Sequence, residues 1–383
     1  MKPGKDSRKQ VMPVLFACMV YFVSVWLIAR HAGYDGSGSL PEDSYFQIDF
    51  IDVGEGDAIL VCCDGKYMLI DGGGEDASRI IYSCLETRGI SELEYVILSH
   101  PHRDHAGGLS AALNAAVVKH ALSPVKEVLY DAETFDDFVK YVNRQNLELE
   151  IPKPGMTYSL GAASFTVLAP FEPEDPLSDA DKANNNSLVL KIKYGAVSFL
   201  LMGDAEEAEE KSILLRYPAR SLRSTVIKAG HHGSDTSSSP AFIRAVRPEY
   251  AVISVGKGNE YGLPDHHAMK NLVSTGAVLY RTDLHGSITF LSDGRQVIPR
   301  PDTENVGDVM AEPVAPRQAG REEENETAQT GEGYYILNIN SMRFHYPDCE
   351  AVGRMREKNK RDFTGSRQEL LDQGFKACGK CQP

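Results

Sequence analysis

The sequence predicts an α/β protein: a domain of two stacked β-sheets with helices outside them, preceded by a membrane-spanning segment and followed by a small cysteine-containing module. Three observations lead there. Between Tyr45 and Arg300, short apolar runs bounded by turn residues outnumber amphipathic helical stretches. The stretch from Val11 to Ala29 runs 19 residues without a charge. Near the C-terminus, a histidine and three cysteines fall in two close pairs. At 383 residues, 42% hydrophobic and 25% charged, the chain holds enough apolar material for one large core or two ordinary ones.

The elements follow in order. "MKPGKDSRK" supplies Lys2, Lys5, Arg8 and Lys9, and the uncharged run after it is long enough for a hydrocarbon core of about 30 Å. The basic flank lies before that run, and Asp35, Glu42 and Asp43 lie after it. The positive-inside rule then gives a basic cytoplasmic tail (1–10), a single-pass anchor in the cell membrane (11–29) and an extracellular remainder. A cleaved signal peptide ending at Ala29 or Ala32 is the alternative; the apolar run exceeds the usual h-region, and no small-x-small site follows. Residues 30–44 form a Gly/Ser/Pro linker. In the domain at 45–300, "YFQIDFIDV", "AILVCC", "YMLID", "YVILS", "SLVLKIKY" and "VSFLLMGD" read as strands, while "SRIIYSCLETRG" and "PAFIRAVRP" read as helices. Cys62, Cys63 and Cys84 read as core residues, and a vicinal disulfide is disfavoured because neighbouring strand side chains point to opposite faces. Residues 301–333 have little apolar periodicity and many acids, the mark of a disordered linker. The module occupies 334–383.

Charge bounds the partners. Residues 44–300 hold 24 Lys and Arg against 35 Asp and Glu, a net −11, whereas residues 333–383 carry +3. An acidic domain argues against a tight, sequence-independent grip on a phosphate backbone, which is built from Lys and Arg. Bound divalent ions would offset part of that charge locally.

The densest chemistry lies in "SHPHRDHAGG". His100 and His102 are one residue apart at a strand end, so both imidazoles can face one way, and Asp104 and His105 follow at a turn. Two N,N and O,N donor pairs suit two adjacent divalent ions, zinc or manganese. Later strands supply more ligands: Asp204 in "FLLMGDAEE", and His231 and His232 in "VIKAGHHGSDTSSS". Taken singly, each is a solvated histidine or a turn acid, and Asp71 in "MLIDGGG" reads as the acid of a Gly-rich turn. Their recurrence at successive strand ends points to metal. Ser234, Thr236 and Ser237 offer hydroxyls to phosphate oxygens, or else form a polar turn capping the helix that begins at Pro240.

The ordered set "FIDVGEGDAILV", "MLIDGGG", "ILSHPHRDHAGGL", "NNNSLVLKI", "LLMGDAEE", "IKAGHHGSDTSSS", "VISVGKGNEYG" and "VLYRTDLHGSITF" resembles the metallo-β-lactamase fold. More narrowly, it resembles the hydrolase domain attached to the DNA-uptake channel protein ComEC and its stand-alone relatives. The resemblance implies an αββα sandwich with a dinuclear site at one edge. It places His100 and His102 on the first metal, Asp104 and His105 on the second, Asp204 between them, and His231 or His232, with His232 preferred, on the second. The chain departs from the pattern at three places. "NNNS" at 184–187 stands where a third first-metal histidine is usual, which leaves that ion open or completed by water or an Asn, with Asn185 and Asn186 as candidate substrate contacts. Leu263 replaces a histidine in "YGLPDHH", and Glu55 replaces a glutamine. A two-metal site open in this way favours phosphodiesters, and the ComEC resemblance, with the basic C-terminal module, makes nucleic acid the leading substrate. Asp104, His231 and His266 are the candidate catalytic groups, either histidine serving as proton donor to the leaving group. A phosphorylcholine esterase of cell-wall polymers and a non-catalytic surface binder are the other readings.

In the module, His345, Cys349, Cys378 and Cys381 fall at H-x3-C and C-x2-C spacings, the pattern of a closed structural zinc site. Disulfides are the alternative in an extracellular setting. The module resembles the zinc-binding domain of the Ada methyl-transfer repair protein, with His345 in place of the first cysteine. "RMREKNKR" offers basic residues for nucleic acid, or simply a solvated helix face.

Overall fold

The computed structural model describes residues 45–311 and 333–378, apart from 131, 172–174, 180, 181, 305, 340, 348 and 374. The anchor expected at Val11–Ala29, its flanks and most of the acidic linker lie outside the described residues, as does Cys381. Among the described residues, no helix is long and apolar enough to cross a membrane. The chain divides into two units, one up to Pro316 and one from Arg317.

Among the described residues, the first unit has fifteen strands. They are β1 (Phe46–Phe50), β2 (Ile59–Cys63), β3 (Lys66–Ile70), β4 (Glu92–Ile97), β5 (Val117–Leu122), β6 (Leu149–Glu150), β7 (Thr157–Leu160) and β8 (Ala163–Ala169). There follow β9 (Val189–Tyr194), β10 (Val197–Leu201), β11 (Val226–Lys228), β12 (Tyr250–Ile253), β13 (Val278–Arg281), β14 (Ile288–Ser292) and β15 (Val297–Pro301). One sheet runs β15-β14-β1-β2-β3-β4-β5-β6, the other β13-β12-β11-β10-β9-β8-β7.

Strand alternation explains the stacking. In β2, Ile59, Val61 and Cys63 join Phe46, Phe50, Phe199 and Phe290 in the core between the sheets, while Leu60 joins a second core with Leu85, Leu109, Phe135 and Phe138. In β10, Phe199 faces the central core and Leu200 a third one, with Phe242, Ile243, Met269 and Leu272. The helices Ser78–Thr87, Leu109–Ala115 and Glu133–Arg144 supply the second core, and Pro240–Val246 and His266–Val273 the third. The layers are therefore helix, sheet, sheet, helix.

Past β15, Asp302 and Thr303 still bond Ser287 and His285 through the backbone. The fully buried Arg281 pairs with Asp283 and donates to the carbonyls of Val309 (3.0 Å) and Ala311 (2.6 Å). Asp302, Thr303, Val309 and Ala311, at the start of the stretch expected as linker, are thus fastened to the domain.

The second unit is a four-stranded sheet, β18-β16-β17-β19, where β16 is Gly333–Asn338, β17 Arg343–His345, β18 Lys360–Gly365 and β19 Lys376–Ala377. Its buried core is Tyr335, Leu337, Phe344 and Leu370. Ser366 and Glu369 close a capping box on the helix Arg367–Asp372.

Candidate metal centre

Strands β3 and β4 are parallel, as are β10, β11 and β12, and the segments leaving their carboxyl ends meet at one edge of the sandwich. β3 leads to Asp71, β4 to Ser99–His105, β10 to Asp204, β11 to His231 and His232, and β12 to Ser254. The opening motif differs locally from its expected form: His100 lies beyond the strand end, and Asp104 and His105 belong to a short helix, Arg103–Ala106. The backbone secures that loop, since Asp57 N–H donates to Asp104 O (3.2 Å) and Gly72 N–H to His105 O (2.8 Å). Gly56 makes this approach possible: at φ +108°, a Cβ there would lie 1.9 Å from Asp104 O.

Two donor groups share Asp204. One is His100, His102 and Asp204; the other is Asp104, His105, Asp204 and His232; within each, one atom per residue falls within 4.8 Å of the rest. Asp204 Oδ2 lies 3.6 Å from His100 Nε2, 3.3 Å from His105 Nε2 and 3.2 Å from His232 Nε2. Asp104 Oδ2 is 3.1 Å from His232 Nε2 and 3.5 Å from His105 Nε2. Ring nitrogens also face each other, His100 Nε2 and His102 Nδ1 at 3.0 Å and His105 Nε2 and His232 Nε2 at 3.3 Å. A shared proton or a shared cation satisfies such pairs.

The far side of each ring is committed. His105 Nδ1 meets Asp71 Oδ2 at 2.9 Å, His232 Nδ1 meets the Ser254 carbonyl at 3.0 Å, and His100 Nδ1 meets Ser99 Oγ at 3.1 Å. The first two partners are hydrogen-bond acceptors that keep a proton on Nδ1, so in the neutral ring each Nε2 would turn a lone pair to the cluster, the tautomer a metal ligand needs. Asp71 takes a left-handed backbone, φ +56°, and also accepts from Ser99 N–H and Ser99 Oγ–H. His231 and His232 are left-handed too, at φ 45° and 50°.

The electrostatics show a cluster that demands positive charge. Burial opposes ionising Asp204, but His232, His105 and His100 hold it well below the ordinary carboxylate range. Asp104 is lowered too, against its burial, by His105 and His232. Burial would depress His105 and His232, yet Asp204 foremost among the carboxylates raises both, His232 to about 10. Burial and His105 push His100 well below its ordinary value. Protons on His105 and His232 thus occupy the place where cations would serve, and the donor set fits divalent metal.

A cleft of about 1010 Å³ opens on the cluster, lined by His102, Asp104, Asp204, His231 and His232. Its lining also carries Glu55, Glu75, Asp76, Asp235 and Asp265 against Arg103, the one lysine or arginine among the described lining residues, with Tyr261 74% exposed. His231 rests on Glu206 (3.1 Å) and Thr236 (3.1 Å), and Glu206 also accepts from the side-chain amides of Asn184 and Asn185. This network occupies the "NNNS" loop: Asn185 is bound to Glu206 from both ends, and Asn186 is buried. Ser234 lines the cleft. Ser237 is turned inward to the carbonyls of Gly230 and Ser234, and Thr236 bonds Glu206, Ser234 and His231. No serine side chain caps the helix at Pro240; Glu210 accepts from Ser238 N–H and Ser239 N–H in that place. His266 is exposed at the start of its helix and is not brought to the cleft, which its neighbour Asp265 does line.

Sequence reasoning missed Asp57, Glu206 and Lys228, and read Asp71 as a turn acid. Lys228 ends the apolar strand β11 and is entirely buried, paired with Asp57. Burial would lower it, but Asp57 and then Asp204 raise it. A charged residue closing an otherwise apolar strand was the available signal.

In the second unit, β17 and β19 pair in parallel, which sets His345 beside Cys378, and Cys349 opens the helix Glu350–Gly353. Their ligand atoms lie within 4.8 Å of one another. His345 Nδ1 is buried without a hydrogen-bond partner among the described residues, and burial, then Arg343, holds the ring below its usual pKa. A neutral imidazole and two buried thiols fit zinc.

Residues 51–257 match the Metallo-beta-lactamase superfamily, and the chain belongs to that superfamily of metal-dependent hydrolases. Within it, the relatives are ComEC-like competence proteins. ComE operon protein 3 of Bacillus subtilis is 30% identical over 283 residues, 68% of this chain and 35% of that one. Competence protein ComA of Neisseria gonorrhoeae is 30% identical over 240 residues, 62% of this chain and 31% of that one. Recombination protein 2 of Haemophilus influenzae is 32% identical over 249 residues, 63% and 28%. The chain spans about a third of the length of these relatives.

Proposed function

We propose that this protein is a dinuclear metal-dependent phosphodiesterase, tethered outside the cell membrane by its N-terminal segment, with nucleic acid as its substrate. The observation that carries the reading is the convergence of two donor groups on Asp204 Oδ2 at the floor of an open cleft. His100 and His102 would hold one ion, Asp104, His105 and His232 the other, and Asp204 both. Zinc or manganese there supplies Lewis acidity and lowers the pKa of water. The chain's own groups do the rest. Asp71 and the Ser254 carbonyl keep two histidines in the ligating tautomer, and His231, oriented by Glu206 and Thr236, offers its ring to the leaving oxygen. His266 has no part in this. Similarity to competence proteins supports nucleic acid.

The acidic rim favours a second reading, an esterase for a small phosphodiester head group such as phosphorylcholine, because five carboxylates against one arginine repel a long polyanion. The same proposal assigns His345, Cys349, Cys378 and Cys381 to a structural zinc, in a module whose basic residues suit nucleic acid. The test offers residues 40–383, loaded with manganese or zinc, single-stranded DNA, duplex DNA, bis-p-nitrophenyl phosphate and p-nitrophenyl phosphorylcholine, with Asp204→Ala as control. Metal-dependent cleavage of DNA is expected. Turnover of the choline ester alone would overturn the nuclease reading, and no turnover of any diester would leave a non-catalytic binder.

A further inference from the structure

The buried cation at the metal centre has no role in the chemistry described above. Lys228 Nζ donates to the carbonyl of Gly203 (2.9 Å), pairs with Asp57, and lies 3.7 Å from Asp204 Oδ1. Asp57 stands behind the ligand histidines, 3.7 Å from His232 Nδ1 and 4.0 Å from His105 Nδ1. Three elements therefore meet at one ammonium: the residue before Asp204, the outer oxygen of Asp204, and the carboxylate backing two imidazoles.

We propose that Lys228 is a positioning residue that holds Asp204 so that it presents Oδ2 alone to both metal positions. This rests on the metal-centre reading above. Asp204 Oδ1 is buried and has no hydrogen-bond donor among the described residues, and the Lys228 ammonium stands beside it, while Oδ2 faces His100, His105 and His232. The Asp204 backbone is pinned as well, its N–H donating to Ser187 Oγ at 3.0 Å. With the main chain pinned and the ammonium 3.7 Å from the outer oxygen, turning the side chain to give one oxygen to each ion, or both to one, would carry Oδ1 away from that charge. A compact ammonium suits a point where a carbonyl and two carboxylates approach from different directions, which a planar guanidinium does not. Without it, Asp57 and Asp204 are buried carboxylates lacking their shared counter-charge.

The test uses the full chain and three variants. Lys228→Met removes the cation, and Asp57→Asn with Lys228→Met removes one charge of each sign, so the buried charge stays balanced. Lys228→Arg keeps the charge and carries the test if the neutral variants do not fold. Zinc stoichiometry and affinity are read by competition with a chromophoric chelator, the ligand geometry by the visible spectrum of the cobalt(II) form, and folding by thermal unfolding of the metal-free protein. With one equivalent assigned to the C-terminal module, a folded variant is expected to bind one of its other two equivalents about tenfold or more weakly, with an altered cobalt spectrum. Three equivalents in all, bound as tightly as by wild type and with an unchanged spectrum, would overturn the proposal. Wild type binding fewer than two equivalents beyond that of the module overturns the metal-centre reading itself and the proposal with it, an outcome distinct because it needs no variant.

Discussion

The two units solve the same local problem, bringing histidine and acidic or thiol side chains that could hold a metal together, with very different means. In the hydrolase domain the ligands stand on three apolar cores, and the loop carrying His100–His105 is lashed to neighbouring backbone by Asp57 and Gly72. In the C-terminal module the buried core is Tyr335, Leu337, Phe344 and Leu370. The first can form its site before metal arrives, because apolar burial supplies the folding energy. The second has too little to bury, so its metal would be part of the fold.

The largest expected effect breaks that comparison directly. Stripping metal from the whole protein should erase slow amide exchange across residues 333–378, because zinc binding contributes on the order of 10 kcal/mol in domains of this size. Strands β1 to β15 should keep their protection. Hydrogen exchange read by mass spectrometry decides it, and a module as protected without metal as with it would show that its small core suffices.

Next in size is the effect of Asp204→Ala, which removes the atom both donor groups share. Diester turnover should fall by well over the roughly 100-fold seen when a residue behind a ligand is lost, while circular dichroism stays unchanged. Asp71→Asn keeps the shape beside His105 but not the charge, so metal affinity should weaken about 10- to 100-fold. Titration with a competing chelator measures this, and unchanged affinity would mean that the His105 tautomer is fixed elsewhere.

Much of this site was legible because its ligands are histidines and aspartates at strand ends, and strand ends are visible in apolar periodicity. Each quoted strand and both quoted helices appear in the fold. What stayed hidden were residues whose role lies in tertiary contact. Lys228 and Asp57 are far apart in sequence, and neither spacing nor composition reports that they meet. Glu206 looked like one acid of "DAEE" and turned out to tie Asn184, Asn185, Thr236 and His231 together. His266 misled for the converse reason: a histidine close to a motif in sequence can still face solvent from a helix start. In the module, spacing had already grouped two close pairs into one candidate site, and the parallel pairing of β17 with β19 is the long-range contact that sets His345 beside Cys378.

The smallest expected effect is also the one that separates protons from metal. In the metal-free domain, His232 is raised to about 10 and His105 also lies above its ordinary value. In the unfolded chain both titrate near about 6.5. Their stabilisation is therefore complete below that pH and is lost as pH climbs towards 10, because the folded cluster holds protons the unfolded chain has released. Where divalent ions occupy the cluster they supply the positive charge in place of those protons, and this dependence should largely vanish. The gap in melting temperature between metal-loaded and metal-free protein should then widen steadily from pH 6.5 to 9, by a few degrees, with the signal taken from the hydrolase domain. Parallel pH profiles would mean that His105 and His232 do not exchange protons for metal, and that the preformed half of the comparison owes its stability to the apolar cores alone.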